Sequence, residues 1–243
     1  MSDLKNYILG LKAPEATSTY SPISNREIYE EVRENLEVGN YPIINEVFHP
    51  SHNYKAFTAV ITVKTNSPEL QKFGVGANIY VRNSYNKLFT ASAHLEYSML
   101  VCNNGLFTMK DIGGVSRVHK GKDAFAIFQT ALYEKLKMLE HQNTDVLKII
   151  DIFRETMLNK EQLDTLIGNL AWSMSPTIFS KFLNELKTNV NFNIEYFGLT
   201  LWNVFNCYTE AIKGINETKL GYDGMTKFIH YRSQFTNAEF KVL

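Results

Sequence analysis

The sequence predicts an α+β fold in which an N-terminal antiparallel sheet has helices packed on one face and is followed by a helical C-terminal half. Between residues 55 and 97, apolar side chains recur at every second position, which is the period of a strand. Beyond Lys122 they recur at every third or fourth position, which is the period of a helix with one apolar face. Strands first and helices afterwards is the order typical of α+β proteins.

Three runs of alternating residues form the predicted sheet, at 55–64, 73–82 and 89–97. The second and third runs each have one apolar face and one polar face, so neighbouring strands share both faces. The apolar face then needs helices to cover it. The polar face carries these side chains: Asn78, Tyr80, Arg82, Thr90, Ser92 and His94.

Helix signals flank the sheet. Ser24 or Asn25 is the expected N-cap of a short helix that Gly39 ends. In the second half, Ser175 followed by Pro176 predicts another helix start. A last helix is expected from about residue 195 to residue 213.

The predicted organisation is an N-terminal arm, residues 1–21, and a single α+β domain, residues 22–243. The arm has no sustained period, so it either docks on the domain or stays mobile. Within the domain, the mixed sheet part extends to about residue 142 and the helical part follows. Residues 102–122 include Gly105, Gly113 and Gly114 and are predicted to be irregular.

Charge and composition exclude several classes of protein. The 243 residues contain 25 basic and 25 acidic side chains, so any nucleic-acid site must come from a local patch. No run reaches the roughly 20 apolar residues of a membrane span, and the first residues do not resemble a signal peptide. We therefore expect a cytoplasmic protein without a membrane partner, located in the host cell cytoplasm if it is phage-encoded.

Metal and cofactor signals are weak. Cys102 and Cys207 lie far apart without neighbouring ligands, which indicates reduced, buried thiols. His49 and His52 have a spacing that suits a metal, but a third ligand is missing nearby. We expect no metal and no cofactor.

Three segments stand out: VRNSYNK at Val81–Lys87, VCNNG at Val101–Gly105, and LWNVFNCYTEAIKG at Leu201–Gly214. In this order and at these separations they resemble a phage and plasmid-like family known as domain of unknown function 932, over roughly residues 22–215. The resemblance implies a mobile-element origin. The positions that match the family's motifs are Arg82, Asn83, Ser84, Tyr85, Cys102, Asn103, Asn104, Gly105, Asn206, Thr209 and Glu210.

The resemblance makes physical sense only if the three segments meet in space, so we expect them to converge. Asn206, Thr209 and Glu210 lie three to four residues apart and share one helix face. This polar face either ties the helix to the turn near Arg82 or contributes to a ligand or catalytic site. Both alternatives stay open at this stage.

A local cluster of positive charge lies between Lys110 and Lys122, where four basic residues stand against Asp111, a net +3. Gly113 and Gly114 would let this loop approach a phosphate. Beside the polar strand face, the loop has the composition of a single-strand groove, although a solvated loop beside a wet sheet face is an alternative. The expected nucleic-acid-binding residues are Tyr80, Arg82, Asn83, Tyr85, Lys87, His94, Lys110, Arg117, His119, Lys120 and Lys122.

These observations predict a phage or plasmid protein that binds single-stranded DNA or RNA in recombination or replication, as a homo-oligomer and without catalysis. The alternative is an anti-defence or anti-restriction protein that binds a host protein or a nucleotide signal. An enzyme ranks last because the sequence has no P-loop, no paired-carboxylate signature and no Gly-x-Ser-x-Gly elbow. A Cys102 nucleophile with His94 or His119 as its base has no support from spacing, so no catalytic residue is assigned.

Overall fold

The computed structural model describes residues 2–99, 108–188 and 199–211. Contacts divide the chain into two compact units, residues 1–101 with 111–143 and residues 102–110 with 144–243. The first unit contains the sheet apart from residues 108–110, and the described part of the second is otherwise largely helical. The predicted α+β class, with an N-terminal antiparallel sheet and a helical C-terminal half, is confirmed.

The five strands form one antiparallel sheet in the order β1-β2-β3-β4-β5, so each strand lies beside its neighbour in the sequence. The elements from the N-terminus through the last helix of the sheet unit are α1 (Ser2–Gly10), α2 (Asn25–Val38), β1 (Ile43–Ser51), β2 (Ala56–Lys64), α3 (Pro68–Lys72), β3 (Val75–Ser84), β4 (Ala91–Met99), β5 (Thr108–Arg117) and α4 (Ala124–His141).

The three predicted strands correspond to β2, β3 and β4, each shifted by two residues or fewer. The apolar face is closed: Ile61, Ile79 and Leu95 have no solvent exposure. The helix α2 contacts β3 and α4, and α4 contacts β4. The prediction that helices cover this face is therefore confirmed, with α2 joining the helix that follows Lys122.

The ends of α2 follow the predicted capping chemistry. The Ser24 hydroxyl accepts the backbone N–H of Glu27, and the Glu27 carboxylate accepts the backbone N–H of Ser24. This reciprocal capping box satisfies two N–H groups that the first turn leaves without partners. At the other end, Gly39 forms the C-cap.

Two strands were not predicted. Pro50 lies in β1, where a proline is tolerated because β1 is an edge strand and needs one fewer N–H donor. The prediction that residues 102–122 are irregular is wrong for 108–117, which form β5. In the sequence, Gly114 suggests the end of a strand. In the structure it lies within β5, where a Cβ atom would lie 2.9 Å from the Ala93 carbonyl oxygen and 3.0 Å from His94 Nδ1. The glycine therefore permits the close approach of β5 to β4.

The N-terminal arm begins with α1, which contacts α2 and β1. Lys5 Nζ lies 2.6 Å from Glu46 Oε2, and the Tyr29 hydroxyl also donates to this carboxylate. Burial alone would raise the pKa of Glu46, but the hydrogen bonds from Lys5 and Tyr29 and the charges of Lys5 and Arg33 hold it below its usual range. Of the two alternatives for the arm, docking is therefore the one observed for α1.

The second unit contains α5 (Asn143–Glu155), α6 (Lys160–Ser173), α7 (Pro176–Thr188) and α8 (Leu201–Ala211). The first residue of α5, Asn143, is assigned to the first unit. Its buried side chains include Phe153, Phe182 and Phe205. The helix α7 contacts both α6 and α8. Among the helices in the described ranges, none is long and apolar enough to cross a bilayer.

Candidate nucleic-acid interface

The polar face of the sheet is accessible to solvent at one end of the strands. Asn78 and Glu96, which are paired in the β3–β4 register, are buried. Two positions further along β3, Tyr80 lies opposite His94, and both are half-buried. Two positions beyond Tyr80, Arg82 is exposed. The accessible part of this face is therefore the end that Arg82 marks.

Tyr80 is held in place by its hydroxyl, which donates to Glu96 Oε1 at 2.6 Å. The centre of its ring lies 6.4 Å from that of His94. Because Gly114 has no side chain, nothing from that position projects against the His94 imidazole. The two predicted residues thus form a neighbouring pair of rings.

Arg82 packs on an aromatic ring. The centre of its guanidinium lies 4.4 Å from the centre of the Phe89 ring, which is a cation–π geometry. Among the described residues, no carboxylate forms a salt bridge with Arg82. Its planar donors therefore remain accessible from the exposed side.

The turn after β3 is fastened to the N-terminal segment. The Asn83 amide donates to the Ile23 carbonyl oxygen and to Asn25 Oδ1, both at 2.9 Å. The Tyr85 hydroxyl accepts the backbone N–H of Asn25 at 2.8 Å and donates to the Leu11 carbonyl oxygen. Asn83 has no solvent exposure, so its prediction as a nucleic-acid contact is wrong; its amide serves to position the turn.

Ser84 closes the same turn. Its hydroxyl accepts the backbone N–H of Phe89 at 3.0 Å and donates to the Phe89 carbonyl oxygen at 2.8 Å. These local hydrogen bonds hold the backbone of Phe89, whose ring packs against the Arg82 guanidinium. The Arg-Asn-Ser-Tyr sequence is thus a structural unit in which Asn83, Ser84 and Tyr85 hold the turn and Arg82 faces outward.

His119 is also buried. Its Nδ1 accepts the backbone N–H of Ile23 at 3.0 Å, and its carbonyl oxygen accepts the backbone N–H of Ser21 at 2.9 Å. Burial lowers the pKa of His119 below its ordinary value. The expectation that His119 adds charge to an exposed loop is therefore wrong. Its imidazole instead anchors residues 21–23.

The Tyr20 ring lies between an exposed cation of the turn after β3 and the segment after β5. Lys87 Nζ lies 4.6 Å from the centre of this ring, and the His119 ring packs against it with centroids 5.7 Å apart. Lys120 follows His119 and is exposed, as is Lys122. Tyr20 therefore joins the turn after β3 to the segment after β5.

Two members of the predicted cationic loop lie on β5 instead. Arg117 is the last residue of this strand, whereas Lys110 lies seven residues earlier in the sequence. At about 3.3 Å per residue, their Cα atoms are roughly 20 Å apart. Lys110 is therefore remote from this cluster, and the net +3 of the sequence segment does not describe one surface.

We call the remaining cluster the basic end of the sheet. Salt bridges in the described ranges involve Lys5, Arg26 and Arg33, and every one of them lies elsewhere on α1, α2 and β1. The nearest acidic residue in the sequence is the exposed Asp123. The basic end consists of Arg82, Lys87, Arg117, Lys120 and Lys122.

The other matching segments are not joined to this surface. Cys102, Asn103, Asn104 and Gly105 lie outside the described residues. On α8, the Asn206 amide donates to the Trp202 carbonyl oxygen, and the Thr209 hydroxyl donates to the Asn206 carbonyl oxygen, both at 2.8 Å. These two polar side chains therefore satisfy carbonyl groups of their own helix. Glu210 lines a cleft between α7 and α8, and convergence with the turn stays a prediction.

Neither a reactive thiol nor a metal centre is apparent in the described ranges. Burial, followed by the charges of Glu185 and Glu210, raises the pKa of the Cys207 thiol to about 12, so it is not a nucleophile at neutral pH. His49 lies in β1 and His52 in the following turn. No group of three metal-ligating side chains exists among the described residues.

Three residues of this region were not identified from the sequence. Tyr20 lies in the arm without periodicity, and Asn25 was considered only as a helix cap, so nothing in the pattern indicated that Tyr20 packs on His119 or that Asn25 accepts a bond from Asn83 of β3. Phe89 was placed on the apolar face of a strand because it alternates with Ala91. The structure starts β4 only at Ala91, which frees Phe89 to pack on Arg82.

Comparison of the chain with protein-family models, curated proteins and solved structures finds no match.

Proposed function

We propose that this chain binds single-stranded nucleic acid at the basic end of the sheet and that it does so without catalysis. The observation that carries this proposal is the set of five basic side chains without a carboxylate partner among the described residues. The whole chain is neutral, so this local excess marks a place where a polyanion is favoured.

The neighbouring rings favour an unpaired strand over a duplex. Bases of a single strand expose their faces, and flat groups can stack on them, whereas a duplex hides them. The Arg82 guanidinium on Phe89 and the Tyr80–His94 pair provide such flat groups beside the cations. Lysines would contact phosphates and the flat groups would contact bases.

Rigidity also supports binding at this place. Asn83 and Tyr85 tie the turn to residues 23–25, and His119 ties the end of β5 to residues 21–23. The cations thus project from held backbone, which reduces the ordering cost of binding. The motif resemblance supports a phage or plasmid origin, and within it we propose a role in recombination or replication as a homo-oligomer that lines up several basic ends.

Replacing Arg117, Lys120 and Lys122 together with alanine should weaken binding to oligothymidylate about 30-fold at low salt. Each lost phosphate contact lowers the log–log salt slope by about 0.7 for single strands, so the slope should fall by up to about 2. Fluorescence anisotropy titrations between about 50 and 200 mM salt measure both quantities.

The matched control for this triple variant replaces Lys64, Lys72 and Lys137, which are three exposed lysines outside the basic end. It removes the same charge and should leave the slope nearly unchanged. Equal effects of the two triple variants would mean that net charge, not this surface, governs binding. Absence of any wild-type binding at low salt would contradict the proposed function itself.

The Arg82→Lys variant separates stacking from charge. Lysine keeps the positive charge but lacks the planar group that packs on Phe89. We expect affinity for oligothymidylate to fall about 5- to 30-fold while the salt slope stays the same, measured by the same titrations. A change in slope without loss at high salt would indicate that Arg82 acts as a simple phosphate contact.

Binding to a host protein is the second candidate, and one observation favours it. Trp172 on α6 is 94% exposed and Met157 is 55% exposed. Large apolar side chains such as these are enriched at protein interfaces relative to the rest of the surface. The two candidates separate experimentally, because nuclease treatment removes complexes that depend on nucleic acid and leaves direct protein complexes intact.

A further inference from the structure

The hairpin between β1 and β2 lies at the same end of the sheet as the basic end. Ala56, the first residue of β2, pairs with Ser84, the last residue of β3. The backbone N–H of Tyr85 donates to the Lys55 carbonyl oxygen at 2.7 Å. The hairpin residues 52–55 are therefore direct neighbours of the turn that carries Lys87.

The hairpin backbone has an uncommon conformation. His52, Asn53 and Tyr54 have φ angles of 51°, 55° and 64°, so three consecutive residues other than glycine are left-handed. Each costs stability because the Cβ atom crowds the carbonyl oxygen. Such conformations cluster at functional sites, where the position of a side chain matters more than local strain.

This backbone presents an exposed pair of aromatic rings. Tyr54 meets Tyr7 of α1 edge to face, with ring centroids 5.1 Å apart and an interplanar angle of 79°. The two residues are 41% and 54% exposed. Lys55, the next residue, is exposed as well. The combination of accessible ring faces and an adjacent cation is the same as at the basic end.

We infer that Tyr7, Tyr54 and Lys55 form a second contact for the strand of nucleic acid bound at the basic end. This inference rests on the proposed function. The tyrosine rings stack on bases and Lys55 contacts a phosphate, so the hairpin extends the site from β5 to β1. Four strand spacings of about 4.8 Å separate these edges, which makes the extended site roughly 20 Å wide.

Oligonucleotide length distinguishes the hairpin contact from the basic end. A strand of about two nucleotides is too short to fill both contacts, whereas a strand of about twelve nucleotides reaches both. A longer strand offers more positions at which a single contact can bind, and this statistical factor alone raises its affinity. We therefore expect wild-type protein to bind the longer oligothymidylate more tightly than the statistical factor explains. The additional affinity belongs to the hairpin.

The Tyr54→Gly variant tests this contact without endangering the fold, because glycine accepts the left-handed conformation at no steric cost. We expect it to bind the longer oligothymidylate about 5- to 50-fold more weakly than wild type and the shorter one equally well. The Tyr54→Phe variant keeps the ring and should behave as wild type with both. Lys55→Ala should lower the salt slope by about 0.7 with the longer strand only.

The possible results separate this inference from the proposed function. If wild type binds both oligonucleotides and Tyr54→Gly matches it with both, the hairpin contact is wrong and the basic end stands. If Tyr54→Phe is as weak as Tyr54→Gly, base stacking by this ring is wrong. If wild type binds neither oligonucleotide, both the proposed function and its extension are overturned.

Discussion

The Asn83→Ala variant is expected to lose about 3 kcal/mol of unfolding free energy. The Asn83 amide is fully buried and donates to the Ile23 carbonyl oxygen and to Asn25 Oδ1. Alanine leaves both acceptors buried without this donor, and each such group costs about 1–3 kcal/mol. The small cavity that remains adds to the loss.

Urea denaturation followed by circular dichroism measures this effect. Asn86→Ala is the matched control, because it removes the same side chain from the same turn at a half-buried position whose oxygen accepts one local bond from Leu88. The control should change stability by less than about 1 kcal/mol. Equal losses for the two variants would mean that Asn83 does not fasten the N-terminal segment to the sheet.

This expectation assigns the motif turn a structural role, which the sequence alone did not indicate. Asn83 was predicted to contact nucleic acid as an amide beside the polar strand face, and His119 was predicted to add charge to the cationic loop. Residue type does not show whether a polar side chain faces water or a buried backbone group. That choice depends on Ile23 and Asn25, which lie about 60 residues before the turn in the sequence.

The strands β2, β3 and β4 could be predicted because strict alternation places one apolar face on a core. The helix α2 could be predicted because Ser24 and Glu27 form a local capping box. These signals lie within a few residues of each other, so they can be recognised without knowledge of tertiary contacts. The same reasoning explains why the helices beyond Lys122 were anticipated.

The edge strands could not be predicted in this way. Both β1 and β5 pair on one side only, so they tolerate Pro50 and the glycine pair, which resemble turn signals. Recognising β5 as a strand also changes the charge argument. Lys110 and Arg117 belong to different ends of one strand, and the cluster that forms instead includes Arg82 and Lys87 from the turn after β3.

The stability of the sheet unit should depend on pH through His119. Burial lowers the pKa of His119 in the native state, whereas the unfolded chain titrates near pH 6.5. Between these two values the unfolded state binds up to one more proton than the native state. Stability is therefore complete above about pH 6.5 and falls as the pH drops, by up to about 1.4 kcal/mol per unit, until the native pKa is reached.

The geometry explains why protonation is resisted. Nδ1 accepts the Ile23 N–H, so a proton on Nδ1 would face another donor and break the bond that holds residues 21–23. The basic residues Arg117, Lys120 and Lys122 and the acidic Asp123 are close to His119 in the sequence, and Lys87 Nζ lies 4.6 Å from the centre of the Tyr20 ring.

Urea denaturation at several pH values between about 7 and 5 tests this prediction, since the low pKa of Glu46 places its contribution to acid unfolding below this window. His119→Asn keeps an oxygen that can accept the Ile23 N–H but does not titrate, so its stability should vary less with pH than that of wild type. His52→Asn removes an exposed histidine and should preserve the wild-type dependence. If His119→Asn and wild type show the same slope, protonation of His119 does not control the attachment of residues 21–23 to the end of β5.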